Sequence, residues 1–191
     1  MHGDLLDLGS GTAKYKSMLI EQVSSYTAFD MAEGPNVDVV GDLHNLPFEE
    51  NSFDTIISTS VMEHVKEPWQ MIEEVQRVLR PGGKCILTTP FMIPFHADPN
   101  DYYRYTTEGG KHLFERAGLE VIESIKYGGM NIVMAEIYKF LFCNPYIHTK
   151  PGFLRRNIFR VVYKFLASLS KNTKQNASIY ANICIIAQAE S

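Results

Sequence analysis

Short β-rich runs alternate with stretches of helical periodicity along most of this chain, and no other feature narrows its fold as far. Strands separated by helices line up in parallel, because a crossover connection is needed to bring the chain back to the same end of a sheet. The β-rich runs are residues 4–8, 26–30, 37–40, 55–59, 84–89, 120–126 and 178–188. Helical stretches lie around 13–23, 68–79 and 107–117, the second with Trp69, Ile72, Val75, Gln76 and Leu79 at helical spacing. Pro81, Gly82 and Gly83 are expected to stop that helix and turn the chain into the next strand. The pattern predicts an α/β fold: a doubly wound, seven-stranded, mostly parallel sheet with helices on both faces.

Past Gly128 the pattern changes to two long apolar-rich helical stretches, 130–143 and 153–169, separated by a loop with Pro145, Pro151 and Gly152. They read as a helical insertion before the last strand. A length of 191 residues fits one domain, expected as a core over 1–128, an insertion over 129–177 and a closing strand over 178–191. In the second insertion helix, helical geometry places Leu154, Ile158, Val161, Val162, Phe165, Leu166 and Leu169 on one arc, with Arg156, Arg160, Lys164 and Lys171 opposite. Each such apolar side chain left in water forgoes about 1.5–3 kcal/mol, so the arc predicts cover by protein, a partner chain or lipid.

Charge is segregated along the chain. Residues 1–137 hold 10 basic and 21 acidic groups, a net of −11, whereas residues 138–191 hold 8 basic and 1 acidic, a net of +7. The acidic body argues against nucleic acid as a partner, which needs a basic footprint, while the basic C-terminal part suits an anionic surface. A composition 45% hydrophobic and 21% charged excludes wholesale disorder. Cys85, Cys143 and Cys184 are odd in number and far apart, which suggests neither a disulfide framework nor a zinc site, and no metal is assigned. No apolar run approaches the roughly 18–20 residues of a membrane span, and Asp4 and Asp7 stand where a signal peptide would carry Lys or Arg. A cytoplasmic protein is the expectation.

The strongest chemical signal is Asp4-Leu5-Leu6-Asp7-Leu8-Gly9-Ser10-Gly11-Thr12, an apolar strand running into a glycine turn and then a helix. Gly9 and Gly11 let the backbone take positive φ and come within contact distance of a ligand, and Asp7 can accept from turn amides or a ligand ammonium. A dinucleotide fingerprint would continue to a third glycine where Lys14 stands, which disfavours a nicotinamide cofactor. Asp30, ending the second strand about 20 residues on, offers two acceptor oxygens to a ribose diol. Asp42, after the third, can accept from an adenine amino group while Leu43 covers the ring.

These residues, with Phe53-Asp54-Thr55-Ile56-Ile57-Ser58, Met62-Glu63-His64-Val65 and Arg77-Val78-Leu79-Arg80-Pro81-Gly82-Gly83, form an ordered set from Asp4 to about Gly128. In this the chain resembles the class I S-adenosylmethionine-dependent methyltransferases, and among them the small-molecule group labelled type 11. The resemblance implies a Rossmann-like sheet with S-adenosyl-L-methionine as cofactor. It puts Asp7, Gly9 and Gly11 around the methionine part, Asp30 on the ribose, Asp42 and Leu43 at the adenine, and Ser58 along the cofactor. Ala13 stands where many members have a third glycine. Members also have a few tens of residues before the first strand whose helices cover the pocket, and here that strand begins at Asp4. Either the sequence is truncated, or cover is expected from the C-terminal helices or from a second subunit, as in a homodimer.

Acceptor chemistry is expected from the segment after the fifth strand, 89–106, which is dense in polar and aromatic residues and hangs over the carboxyl ends of the strands. His96 is the preferred general base for a hydroxyl acceptor, with His64 its rival. Asp98 or Asp101 is expected to orient the imidazole, Arg104 to hold an anionic group, and the tyrosines to stack on a ring or sugar; a structural pairing of Asp101 with Arg104 is the competing expectation. The loop also resembles a bacterial glycan-assembly branch of these enzymes, with a Pro, His, Asp, Pro, Asp, Arg, Thr pattern. That implies O-methylation of a sugar or glycan precursor, and the basic helix fits a lipid-linked precursor at a membrane surface. The rival readings are C- or N-methylation of a quinone-like or amine acceptor, and an inactive cofactor-binding partner subunit.

Overall fold

The structure is a computed structural model that describes residues 3–143, 153–168 and 178–190. Strands β1 (Asp4–Leu8), β2 (Ser25–Asp30), β3 (Val39–Val40), β4 (Phe53–Thr59), β5 (Leu79–Pro90), β6 (Leu119–Gly129) and β7 (Tyr180–Ala189) form one sheet in the order β3-β2-β1-β4-β5-β7-β6. The first five pair in parallel, and β7 runs antiparallel between β5 and β6. The helices are α1 (Lys16–Leu19), α2 (Pro68–Val78), α3 (Thr107–Arg116), α4 (Met130–Cys143) and α5 (Phe153–Ser168), the last two lying in the chain between β6 and β7. This is the doubly wound, mostly parallel sheet that the alternation predicts.

A parallel strand is covered on both faces, so it is written in apolar residues nearly throughout. In β1, Leu6 and Leu8 join a core with Phe29, Ile56, Ile72, Val75 and Leu87, while Leu5 on the opposite face joins Leu19, Ala28 and Ile57. Helix α2 opens with Pro68 in its first turn, where the missing N–H costs nothing, and buries Met71, Ile72, Val75 and Val78. Trp69 and Gln76, expected on the inner face, are instead exposed: the buried stripe is rotated around the helix. The helix also ends earlier than expected. Leu79 turns to ψ 136° and pairs with Phe53, so Pro81, Gly82 and Gly83 lie inside β5, where Gly82 takes φ +74°. Residues 13–23 form only a short α1 and a 3₁₀ turn.

Two landmarks from the sequence prove to be scaffold. Arg77 donates to Glu74 and to the carbonyls of Leu46 and Phe48, and Glu74 accepts from the Leu46 amide. The pair thus pins the segment after β3 to α2. Arg80 joins Asp54 and Asp4, tying the starts of β1, β4 and β5 together.

The insertion departs from expectation in its packing. Helix α4 buries Val133 and Ala135, and the Tyr163 hydroxyl of α5 donates to Glu136 of α4 at 2.9 Å. Yet Ile158, Val161 and Phe165 are 53%, 68% and 61% exposed, so within the described chain their arc is uncovered. The side chains of Leu154, Leu166, Leu169, Arg156 and Lys171 lie outside the described residues. Among the described residues, no helix is long and apolar enough to cross a membrane.

Candidate active site

Strand order reverses between β1 and β4, one neighbour leading to β2 and the other to β5. At such a switch point the outgoing connections part on opposite faces and leave a crevice at the carboxyl ends of the strands. A cleft of about 370 Å³ lies there, lined by Gly9, Ser10, Gly11 and Thr12 after β1, Thr59 and Ser60 at the end of β4, His64, and His96 with Asp98 from the loop after β5. A second depression of about 370 Å³ is lined by charged residues of α3 and β6, including Glu108, Lys111 and Lys126, and by none of the motif residues.

The glycine turn is shaped by close contacts. The amides of Gly9 and Ser10 both donate to the Phe29 carbonyl at 2.9 Å, folding the chain back over the end of β2. Gly9 sits at φ +75°, and a Cβ there would lie 2.4 Å from Val61 Cγ2, so only glycine fits. Gly11, at φ +55°, has nothing within 4 Å of a Cβ position and borders the open cleft. Ala13 takes φ +51°, which explains why a glycine suits that position in many members. The Ser10 hydroxyl is buried without a hydrogen-bond partner, a vacancy that a polar ligand group in the cleft would fill.

The remaining cofactor candidates divide. Asp7 is 2% exposed and accepts from the Tyr26 hydroxyl; burial raises its carboxyl above the usual range. Asp30 accepts from the amides of Gly11 at 2.8 Å and Ala32 at 3.1 Å, which holds its carboxylate beside the turn. Asp42 accepts from the amide and ring of His44, and these bonds lower its pKa. Leu43 is buried and packs with the core cluster after β3. Ser58 is 1% exposed and donates to the Leu8 carbonyl at 2.8 Å. It locks β4 to β1, and the neighbouring Thr59 and Ser60 line the cleft in its place.

On the acceptor side the structure assembles a cluster around a residue that the sequence reading left without a role. Glu63, in the turn after β4, is fully buried. One of its carboxylate oxygens accepts from the Thr89 hydroxyl at 3.1 Å, while Oε1 has no hydrogen-bond partner. His64 Nε2 lies 3.6 Å from Oε1 and His96 Nε2 lies 3.8 Å from it, with the two imidazoles edge to face at 5.2 Å. Both ring Nδ1 atoms face carbonyl oxygens, of Asn100 at 2.5 Å and Pro94 at 3.0 Å. A carbonyl can only accept, so a proton on Nδ1 suits both rings, the Pro94 carbonyl lying closer to His96 Nδ1 than the Arg104 Nη2 donor at 3.4 Å, and each Nε2 is turned to Glu63. The nearby Glu63 carboxylate raises the His96 pKa, with partial burial opposing it. The available signal was an acid between Met62 and His64 in an otherwise apolar turn.

Asp101 and Arg104 order the loop. Asp101 accepts from the His96 amide at 2.8 Å and pairs with Arg104 through both oxygens. Arg104 also donates to the carbonyls of Ile93, Tyr103 and Pro94. These bonds occupy all five guanidinium N–H groups, so Arg104 has no donor to spare for a substrate anion. The expected anion contact gives way to the structural pair. Asp98 is exposed at the cleft wall. Tyr103 and Tyr105 turn their hydroxyls to the carbonyls of Lys66 and Met62, leaving Tyr102 the more exposed ring. Among the described residues lining this cleft there is none from α4 or α5.

Comparison with known proteins agrees with this geometry. Residues 6–87 match the family model described as a methyltransferase domain. An uncharacterized methyltransferase of Mycobacterium sp. (strain KMS) is 32% identical over 123 residues, covering 59% of this chain and 48% of that protein. The chain spans between about a sixth and a half of the length of the curated relatives first matched. Among solved structures, the [4+2]-cyclase SpnF aligns with TM-score 0.64 and 18% identity over 98% of this chain and 75% of that one. Phosphoethanolamine N-methyltransferase 2 of Haemonchus contortus, solved with S-adenosyl-L-methionine, aligns with TM-score 0.64 and 17% identity over 100% of this chain and 49% of that one. Residues 6–87 thus match a methyltransferase domain, and the sheet order is that of the fold shared with the class I S-adenosylmethionine-dependent methyltransferases, to which the chain is similar.

Proposed function

We propose that this protein transfers the methyl group of S-adenosyl-L-methionine to a hydroxyl oxygen of a small molecule, a sugar or glycan precursor. One observation carries the choice of oxygen: Glu63, His64 and His96 converge beside the same cleft as the glycine turn. A hydroxyl must lose its proton as the methyl arrives, and two imidazoles with inward-facing Nε2 atoms supply groups to engage it. An amine or an activated carbon needs no such cluster. The cofactor's methionine part would lie along 9–12, with the Ser10 hydroxyl among its partners, and its ribose at Asp30. In this reading the protein contributes in-line positioning and handling of the acceptor's proton, while the sulfonium supplies the activated methyl. The exposed Tyr102 is the ring best placed to stack on a sugar face.

Fold alone does not decide the reaction, as the cyclase among the structural neighbours illustrates. The test is incubation of the purified chain with methyl-labelled S-adenosylmethionine and a panel of sugars, phenols and amines. Label in an alkali-stable methyl ether of a hydroxylated acceptor is expected. Label in amines alone would overturn the assignment to oxygen, and bound cofactor with no transfer to any acceptor would favour the inactive-subunit reading.

A further inference from the structure

We infer that Glu63, His64 and His96 form a binding site for one divalent transition-metal ion, with zinc, cobalt or manganese as suitable occupants. Their three ligand atoms all lie within 4.8 Å of one another. An ion bonded at about 2.0–2.2 Å to imidazole nitrogen and carboxylate oxygen would separate those ligands by about 3–3.5 Å. The gaps of 3.6 and 3.8 Å from Glu63 Oε1 to the two Nε2 atoms lie close to that span, and the imidazoles close the remainder by moving inward around the ion.

Hydrogen bonding around the trio makes the case stronger than proximity does. Glu63 Oε1 is a fully buried carboxylate oxygen without a donor, a costly state that demands a positive partner. Its two nearest candidates point nitrogens at it whose Nδ1 positions are already committed to backbone carbonyls. In neutral imidazoles with that tautomer, both Nε2 atoms carry lone pairs, so three acceptors face one another across an empty centre. A cation there satisfies all three at once. An Nδ1–H held by a carbonyl is also the arrangement that fixes the tautomer and orientation of a metal-bound histidine. Asp101 steadies the second ligand by accepting from the His96 amide, and Thr89 steadies the carboxylate through its other oxygen. Two imidazoles and one carboxylate suit borderline transition metals better than magnesium or calcium, which prefer oxygen ligands.

The site opens on the cleft through His64 and His96. Three protein ligands leave a position for an outside oxygen, the pattern of a catalytic rather than a closed site. Here the inference rests on the function proposed above. The acceptor's hydroxyl oxygen binds the ion and yields its proton to water at the cleft mouth. An oxygen lone pair then forms the C–O bond while the S–CH3 bond breaks with its electron pair going to sulfur. The products are the methyl ether, S-adenosylhomocysteine and a proton.

The test is calorimetric titration of the metal-free full chain with Zn²⁺, supported by the visible absorption of Co²⁺, with S-adenosylhomocysteine binding measured on the same samples. One ion per chain is expected, and E63Q, H64A and H96A should each weaken it by about 10²-fold or more while S-adenosylhomocysteine still binds. E63Q preserves side-chain volume, so loss of the ion there with the fold intact is the sharpest result. S-adenosylhomocysteine binding without any ion, or ion binding unaffected by the three substitutions, would overturn the metal site alone. An ion bound by a chain with no affinity for S-adenosylhomocysteine would leave the site standing and remove the function proposed for it.

Discussion

Replacing His96 with alanine is expected to lower kcat by about 10²–10⁴-fold while leaving cofactor affinity nearly unchanged. The ring belongs to the acceptor side of the cleft and touches no part of the glycine turn in the hydrogen-bond network described above. Its side chain is 41% exposed against 15% for His64, which makes it the more accessible imidazole to an incoming hydroxyl. Single-turnover kinetics with an acceptor found from the panel, alongside cofactor titration, separate the two effects. H64A is the comparison: a fall as large as that of H96A marks an ion shared by the two rings, and a smaller one marks a base at His96 alone. A crippled H64A with a near-normal H96A would exchange their roles, and normal turnover in both would remove the cluster from the reaction.

The second large effect is at the other end of the cleft. Asp30→Ala should weaken S-adenosylmethionine binding by about 1–3 kcal/mol, since two ribose hydroxyls lose a charged acceptor. The same carboxylate accepts from the amides of Gly11 and Ala32, so part of the loss comes from loosening the turn itself. Asp30→Asn retains one acceptor oxygen and should lose less. Calorimetry showing unchanged affinity for the alanine variant would take Asp30 out of the site.

Most of the sheet was legible because parallel strands buried on both faces leave continuous apolar runs, as β1 does. The ends of elements were less so. Leu79 has the apolar character of either a helix face or a strand, and what decides is its pairing with Phe53, far away in sequence. Residues 13–23 carry helical periodicity, yet turns closed by the Ser10 and Ala13 carbonyls occupy their start, leaving a short helix. The site shows the same division. Gly9 was readable because positive φ and the contact with Val61 leave no alternative, and the place of Asp30 beside the turn because it ends the strand paired with β1. The resemblance implied Ser58 along the cofactor, and its hydroxyl proton goes to Leu8; Arg104, weighed between a substrate anion and Asp101, donates to Asp101 and the loop carbonyls. Glu63 was overlooked for the opposite reason. Its neighbours in the cluster, Thr89 and His96, come from β5 and the loop after it, so only the folded chain brings them together. The arc on α5 was correctly read as amphipathic, but sequence periodicity cannot name what covers it.

The most direct test of the account is a crystal structure of this chain with S-adenosylhomocysteine bound. The account predicts the ribose at Asp30, the amino acid part along residues 9–12 within reach of the Ser10 hydroxyl, and the sulfur facing Glu63, His64 and His96 across the cleft. A sulfur turned away from that cluster, or a ligand seated elsewhere on the sheet, would contradict it.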